Sequence, residues 1–500
     1  MALVETLFSL LDLKTILLGL SVLYLYKFWR NPLNFAPGPW GLPVIGCLPS
    51  LVLANQEMQF LFMDWSKKYG KIFAFNVCMK PVVVLNDYQS IHEGFFSPDI
   101  QSRPELKILT RFNKGRVFLS YEGVSNGSGA VWKEQRRFIL SLFRSFGIGK
   151  ASYEDQISVE VSHLIELLKT HGSRSFDPNI PLTNAIANII CSVSFGKRYE
   201  YDDKEFHQFL SVIYDMFKLF GEGGLLLGLP GVAYIPFGIP KRFIEKLNCY
   251  RNFAWKIFEE HEKTLDENNV RDIVDAYLIR MKNTKDVDPE LFNFFNLLWV
   301  SGDLFIAGTE TMSSTLCWAI LFAITYPEIQ VKVQDEMDSV VGKGMKPRLS
   351  DQANLHYVNA FIAETQRMGD VAPLGVVHEV ARDTRLGDFM LPKGTMVQSN
   401  LTAVFRDPQL WKDPDTFNPG RFINEEGHFF KPKEFIPFST GHRVCLGEQL
   451  ARMELFIFIT HLLSTFKFSI PEGTPPPSLE ATTGITRTPK PFEITVECRE

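Results

Sequence analysis

The chain has 500 residues, 45% of them hydrophobic, and a formal net charge of −5. That length supports one large core or several small ones, and the acidic balance excludes nucleic acid as partner, since no basic excess exists to neutralise phosphates. Seven widely spaced cysteines contain no CxxC pair, which excludes a zinc ribbon or a disulfide framework and points to a reducing compartment.

From the N-terminus, residues 1–30 read as a membrane signal-anchor. The uncharged stretch Thr15 to Tyr26 is too short to cross a ~30 Å hydrocarbon core as a helix, but the flanking apolar residues complete a span. Lys27-Phe-Trp-Arg30 follows with no small-residue cleavage site, which disfavours a cleaved signal peptide. Acidic residues before the segment and Lys27 and Arg30 after it place the C-terminal side in the cytosol. Asn126-Gly-Ser128 and Asn400-Leu-Thr402 are glycosylation sequons that a cytosolic body would leave unmodified.

Residues 31–50 form a hinge, stiffened by Pro37-Gly-Pro-Trp-Gly-Leu-Pro43. Residues 51–500 are expected to form a single catalytic domain. Within it Val82 to Leu85 reads as a strand and helical patterns fill the middle. Gly221 to Pro230 reads as an apolar connector, because no Lys-Ser/Thr follows to make a phosphate loop. Leu291 to Ile324 is a long apolar helix, and Asp303 and Glu310 inside it favour a buried core helix over a second membrane span. Beyond residue 370, frequent Pro and Gly predict short strands.

The chemistry concentrates in Phe438-Ser-Thr-Gly-His-Arg443-Val-Cys445-Leu-Gly447, followed by helical sequence from Glu448 to Phe466. A cysteine just ahead of a helix sits at the positive end of its dipole, which favours thiolate. Glycines let the backbone approach a flat ligand, and Arg443 can pair with a carboxylate. An inert buried cysteine is the plainer reading of any lone cysteine. Here the five fixed positions resemble, without a mismatch, the haem-binding signature of the cytochrome P-450 superfamily.

Further segments resemble the same family in the same order. Ala307-Gly-Thr-Glu310-Thr311 matches its oxygen-activation motif, Glu364-Thr-Gln-Arg367 its ExxR pair, and Phe417-Asn-Pro-Gly-Arg421-Phe its PERF-type segment, with Gly420 where Glu is usual. Trp132-Lys-Glu-Gln-Arg136 matches a propionate-binding WxxxR, and His378 resembles another propionate partner. The resemblance covers essentially the whole chain and is closest to the animal microsomal branch that handles drugs, steroids and terpenoids.

The resemblance implies a mainly α fold with a smaller β-rich part and a haem b cofactor ligated by Cys445. Trp132, Arg136, His378, Arg443, Phe438 and Gly447 would surround that haem. Thr311 and Glu310 would relay protons, while Glu364, Arg367 and Arg421 would form a structural network. Phe112, Phe118, Phe217, Phe305, Ala307, Val371 and Ile485 fall in regions that line the family's substrate pocket. The implied reaction inserts one oxygen atom from O2 into a lipophilic molecule, with electrons from NADPH through a flavoprotein reductase, with cytochrome b5 as a second donor, at the endoplasmic reticulum membrane. A basic docking face is expected from Lys133, Arg137, Arg144, Lys431 and Lys433. Two other readings stay open. A haem-thiolate isomerase or dehydratase would keep Cys445 without needing a reductase, and a non-catalytic haem sensor would not need the Glu310–Thr311 pair.

Overall fold

A computed structural model describes residues 15–16, 18–22, 34–105, 123–228, 232–235, 237–284 and 290–499. Of the expected anchor only residues 15–16 and 18–22 are described, and they are helical; Phe112 and Phe118 lie outside the described residues. The chain packs as two compact units, Met1–Pro104 with Leu374–Val404, and Glu105–Pro373 with Phe405–Glu500.

The first unit is built on a four-stranded sheet. Strands β1 (Ile72–Val77) and β2 (Lys80–Leu85) form a hairpin whose turn residues Cys78 and Met79 both take positive φ, 48° and 66°. After β3 (His378–Glu379) and the small hairpin β4 (Thr384–Leu386) and β5 (Phe389–Leu391), strand β6 (Met396–Ser399) lies parallel to β2, and β3 is antiparallel to β6. Val82, Val83, Val84 and Leu85 are all buried, so both faces of β2 are covered and the sequence is apolar without alternation. Helix α1 (Met58–Tyr69) lays Phe62 and Trp65 on Phe73 and Phe75, with ring centroids 5.3–6.0 Å apart. Helix α2 (Tyr88–Phe96) starts at Asp87, whose carboxylate accepts the Ser90 N–H at 2.8 Å and so satisfies one orphan donor. Asn400 has no exposed surface: its amide donates to the Gln59 carbonyl and to Asn86 Oδ1, both at 2.9 Å. The second sequon is therefore part of the core, a role its three-residue signature could not reveal.

The second unit is helical: α3 (Gly129–Ser145), α4 (Ala151–Lys169), α5 (Asn179–Phe195), α6 (Lys204–Leu227), α7 (Gly238–Thr264), α8 (Ile273–Thr284), α9 (Phe294–Thr325), α10 (Pro327–Val340), α11 (His356–Gly369) and α12 (Glu448–Thr465). Two hairpin-like pairs complete it, β7 (Phe466–Ser469) with β10 (Thr495–Cys498), and β8 (Ala481–Thr483) with β9 (Arg487–Pro489).

Helix α9 organises this unit. Asn293 caps it, accepting the Phe295 and Asn296 N–H groups at 3.0 Å. It is long and apolar enough to cross a membrane, but most of it is buried against α5, α11 and α12, making it a core helix. Gly308 permits the close approach of α5, because a Cβ there would meet Ile190 Cδ1 at 2.6 Å. The expected connector at Gly221 to Pro230 is corrected in its first part, since α6 continues to Leu227. Its glycines serve packing: a Cβ on Gly223 would meet Ile239 Cγ2 at 2.6 Å, and one on Gly221 would meet Gly484 Cα at 3.2 Å.

Candidate active site

The cysteine loop is held by its own backbone. Cys445 N–H donates to the Phe438 carbonyl at 3.0 Å, and Ser439 and Gly441 take φ of 63° and 79° to turn the chain. Gly447 caps α12, so Cys445 stands two residues ahead of that helix. Cys445 keeps an exposed surface although its thiol lies deep enough that burial pushes it up; the Gly447 N–H, Arg136 and Arg452 pull it down, and Glu448 pushes it up. A metal ion at the sulfur would overcome that burial, because a coordinating thiol is deprotonated outright.

Helix α3 interlocks with this loop. Trp132, Gln135, Ile139 and Phe143 recur on its buried face, as the 3.6-residue period requires. At the edge of that face Arg136 donates to the Val444 carbonyl at 2.7 Å. Arg443 reaches the opposite way, donating to the carbonyls of Gly127 at 2.6 Å and Val124 at 3.4 Å, with its guanidinium carbon 3.6 Å from the Trp132 ring centroid.

Two features call for an anionic ligand beside Cys445. The Trp132 indole N–H is buried without an acceptor among the described residues, an arrangement that costs roughly 1–3 kcal/mol. Arg136 is pushed down by burial, with Cys445 as its opposing influence, and no carboxylate pairs with it among the described residues. A flat group carrying carboxylates and a metal fits this donor set, and haem b has both.

Helix α9 carries the second half. Along its mostly buried length, Ala307 is exposed and Asp303, Glu310 and Thr311 are half-buried. Asp303, Ala307 and Thr311 are four apart and share one face. The Thr311 hydroxyl donates to the Ala307 carbonyl at 2.6 Å, and Thr315 repeats the pattern on the Thr311 carbonyl at 2.7 Å. Such back-bonding loosens the local helix ladder. Burial pushes Glu310 up, and the hydroxyl of Thr486, 3.5 Å from its Oε1, pulls it back. Sequence reasoning missed Thr486, a lone threonine in a Thr- and Pro-rich tail. Asp303 accepts the Ser125 N–H at 2.9 Å.

The acid–arginine group meets as one cluster. Glu364 and Arg367, 0% and 1% exposed, pair through two bonds of 2.7 and 2.9 Å, and Arg421 Nε donates to Glu364 Oε1 at 2.9 Å. The Asn418 N–H adds a fourth donor to that carboxylate at 2.9 Å. Arg367 also holds the Phe405 carbonyl at 2.7 Å, and Arg421 those of Lys412, Asp413 and Thr416 at 2.8, 3.2 and 2.9 Å. Gly420 does not weaken the cluster, because Asn418 supplies the turn through its side chain to Gly420 N–H at 2.9 Å.

The remaining candidates separate. His378 belongs to the first unit, where its Nδ1 lies 2.6 Å from the Ile100 carbonyl and its ring stacks on Phe95 at 3.9 Å. Phe305 has no exposed surface and packs edge-on to Phe209 at 4.6 Å, which makes it core. Phe217 is half-buried on α6, one turn before Gly221, which itself adjoins Gly484 and Ile485. Val371 accepts the Arg487 N–H at 3.0 Å. Elsewhere, His261, Asp272 and Asp275 cluster like metal ligands. Asp275 is committed to Arg271 by bonds of 2.6 and 2.7 Å, and the two His261 nitrogens face Asp272 and the Ile257 carbonyl, each at 2.8 Å. That group is an ion cluster tying α7 to α8.

A family model for cytochrome P-450 matches residues 36–496, through both units. The chain belongs to the cytochrome P-450 family. It is 40% identical over 481 residues to cytochrome P-450 2J3 of Rattus norvegicus, covering 94% of this chain and 93% of the relative. It is 39% identical over 497 residues to cytochrome P-450 2J2 of Homo sapiens, covering 98% and 97%, and 36% identical over 491 residues to cytochrome P-450 2D20 of Mesocricetus auratus, covering 96% and 95%. As a cytochrome P-450 it is a monooxygenase of lipophilic substrates that binds haem b and receives electrons from NADPH through a reductase.

Proposed function

We propose that this cytochrome P-450 is anchored by its N-terminus in the endoplasmic reticulum membrane, with the catalytic body in the cytosol. It inserts one oxygen atom into a steroid, terpenoid, fatty acid or xenobiotic by hydroxylation or epoxidation. The observation that carries an oxygenase over an isomerase or a sensor is the Ala307–Thr311 face of α9, open along an otherwise buried helix with an acid and a hydroxyl adjacent.

Cys445 would hold the iron, and Trp132 and Arg136 would hold haem carboxylates; Arg443, stacked on Trp132, fixes the indole plane. When bound, the haem would supply the oxidising chemistry, and the Cys445 thiolate would tune it. The chain's own task is proton delivery and water exclusion: the Thr311 hydroxyl, whose proton rests on the Ala307 carbonyl, turns from it to present that proton at the open face, and the Glu310 carboxyl replenishes it through water. Phe217, Ala307, Val371 and Ile485 orient the substrate.

Electrons arrive from an NADPH-dependent flavoprotein reductase, with cytochrome b5 as a second donor. Lys133, Arg137 and Arg144 are exposed within about 40° of one another on α3, opposite its buried face, and Lys431 and Lys433 are exposed just before the cysteine loop.

The test is reconstitution with a microsomal reductase, scoring product mass against NADPH oxidised for a panel of lipophilic substrates. One added oxygen per product is expected, and in Thr311→Ala a lower product yield per NADPH, with the rate of product formation falling by up to the ~10²–10⁴-fold of a lost proton-transfer group. Turnover without NADPH would favour the isomerase.

A further inference from the structure

Three residues on one face of α9 grip the β8–β9 hairpin. Glu310, Ser314 and Trp318 are spaced by four, so they line up along the helix. Glu310 Oε1 meets the Thr486 hydroxyl at 3.5 Å, Ser314 Oγ meets the Thr488 hydroxyl at 2.9 Å, and Trp318 Nε1 donates to the Arg487 carbonyl at 3.0 Å. Thr486, Thr488 and Arg487 of the hairpin are thus each held by a different turn of the helix. The hairpin cannot slide without breaking all three contacts, and Thr486 itself is buried.

We propose that Thr486 is a positioning residue for Glu310: its hydroxyl holds the carboxyl on the hairpin side of α9. The assignment rests on the reading of Glu310 as a proton donor to the oxygenase site. Its geometry stands independently of turnover.

Among the described residues, Thr486 is the group that opposes burial in setting the acidity of Glu310. Burial disfavours the charged carboxylate, and the Thr486 hydroxyl is what favours it. The hairpin's own cation, Arg487, is turned away, donating to the Gly369 carbonyl at 3.2 Å and facing Asp370 at 3.9 Å. Cys317, two turns along α9, is buried and feels the Glu310 charge. Thr311 hydrogen-bonds its own helix through the Ala307 carbonyl. A hydroxyl that donates to a carboxylate stabilises the ionised form, so removing it raises the carboxyl's midpoint.

The experiment is infrared titration of the full-length holoenzyme, with the Glu310 carboxyl band identified by its loss in Glu310→Gln. Thr486→Val should raise the midpoint by about one pH unit, a tenfold change in ionisation constant, for one lost hydrogen bond to a charged group. Thr486→Ala should give the same shift if valine disturbs packing, and Thr486→Ser should restore the wild-type value. Thr488→Val, which breaks only the Ser314 contact, should leave the midpoint in place. A midpoint unmoved in both Thr486→Val and Thr486→Ala overturns the proposal, as does an equal shift in Thr488→Val. Failure to find any oxygenated product would instead refute the proposed function, and the titration would still decide the role of Thr486.

Discussion

Arg443 lies with its guanidinium carbon 3.6 Å from the centroid of the Trp132 ring, joining residues more than 300 positions apart into one cation–π stack beside Cys445. The stack is desolvated, so it contributes toward the upper end of about 0.5–2 kcal/mol. It also fixes the plane of an indole whose N–H has no acceptor among the described residues. The two consequences can be separated by mutation.

Trp132→Phe keeps an aromatic face for Arg443 and removes the N–H. Haem should transfer to an acceptor apoprotein about 10–100-fold faster, the equivalent of one hydrogen bond to a charged carboxylate. The apoprotein's urea midpoint should barely move. Unchanged haem transfer would remove the indole from haem binding.

The Glu364 cluster should behave as a buried ion network. Removing one partner leaves two buried guanidinium groups without their shared carboxylate, which costs about 3–5 kcal/mol. Glu364→Ala should therefore fail to accumulate as folded holoprotein. Arg421→Lys should be milder, keeping the charge while losing several of the carbonyl contacts. If Glu364→Ala folds and melts like wild type, the cluster is not structural.

Glu454 on α12 is fully buried, its Oε1 has no partner among the described residues, and burial pushes its carboxyl well above the ordinary range. Its folded pKa is raised, so its contribution to stability is full below the unfolded value near pH ~4.3 and is lost as pH rises toward the folded value, at up to about 1.4 kcal/mol per pH unit. Glu454→Gln keeps the shape and cannot lose a proton. Urea melts should show the variant gaining on wild type between pH 5 and pH 8. The same difference at both pH values would contradict the burial argument.

Charge reversal at Lys133 with Lys433 should slow reduction by the flavoprotein donor, most at low ionic strength, because rim charges chiefly govern encounter. Arg137 is a weaker choice, since it already pairs with Glu134 on the same helix. Peroxide-driven turnover should be spared. An equal fall by both routes would mean damage to the pocket rather than to docking.

What was legible in the sequence was local. Cys445, Arg443 and Gly447 fall within one short loop, and Glu364 and Arg367 lie one helical turn apart, so spacing alone implied proximity. Long apolar periodicity likewise marked α9, where Asp303 and Glu310 distinguish a core helix from a membrane span. Contacts across the chain left no such trace. Thr486 meets Glu310 over 176 positions, and Asn418 joins Glu364 over 54. Phe305 shows the limit of composition, because an aromatic on a core helix looks the same whether it faces a pocket or, as here, Phe209. Asn400 shows the limit of a short motif, since a sequon says nothing about burial. Asn126, which is half-buried, is the sequon left to report membrane orientation.

The central claim is that Cys445 ligates the haem iron as a thiolate, and the spectrum of the reduced protein with carbon monoxide tests it most directly. The wild-type protein should show the red-shifted Soret band of thiolate ligation, Cys445→Ser should lose it, and Cys317→Ser should retain it. A wild-type spectrum matching that of a histidine-ligated haem would contradict the assignment.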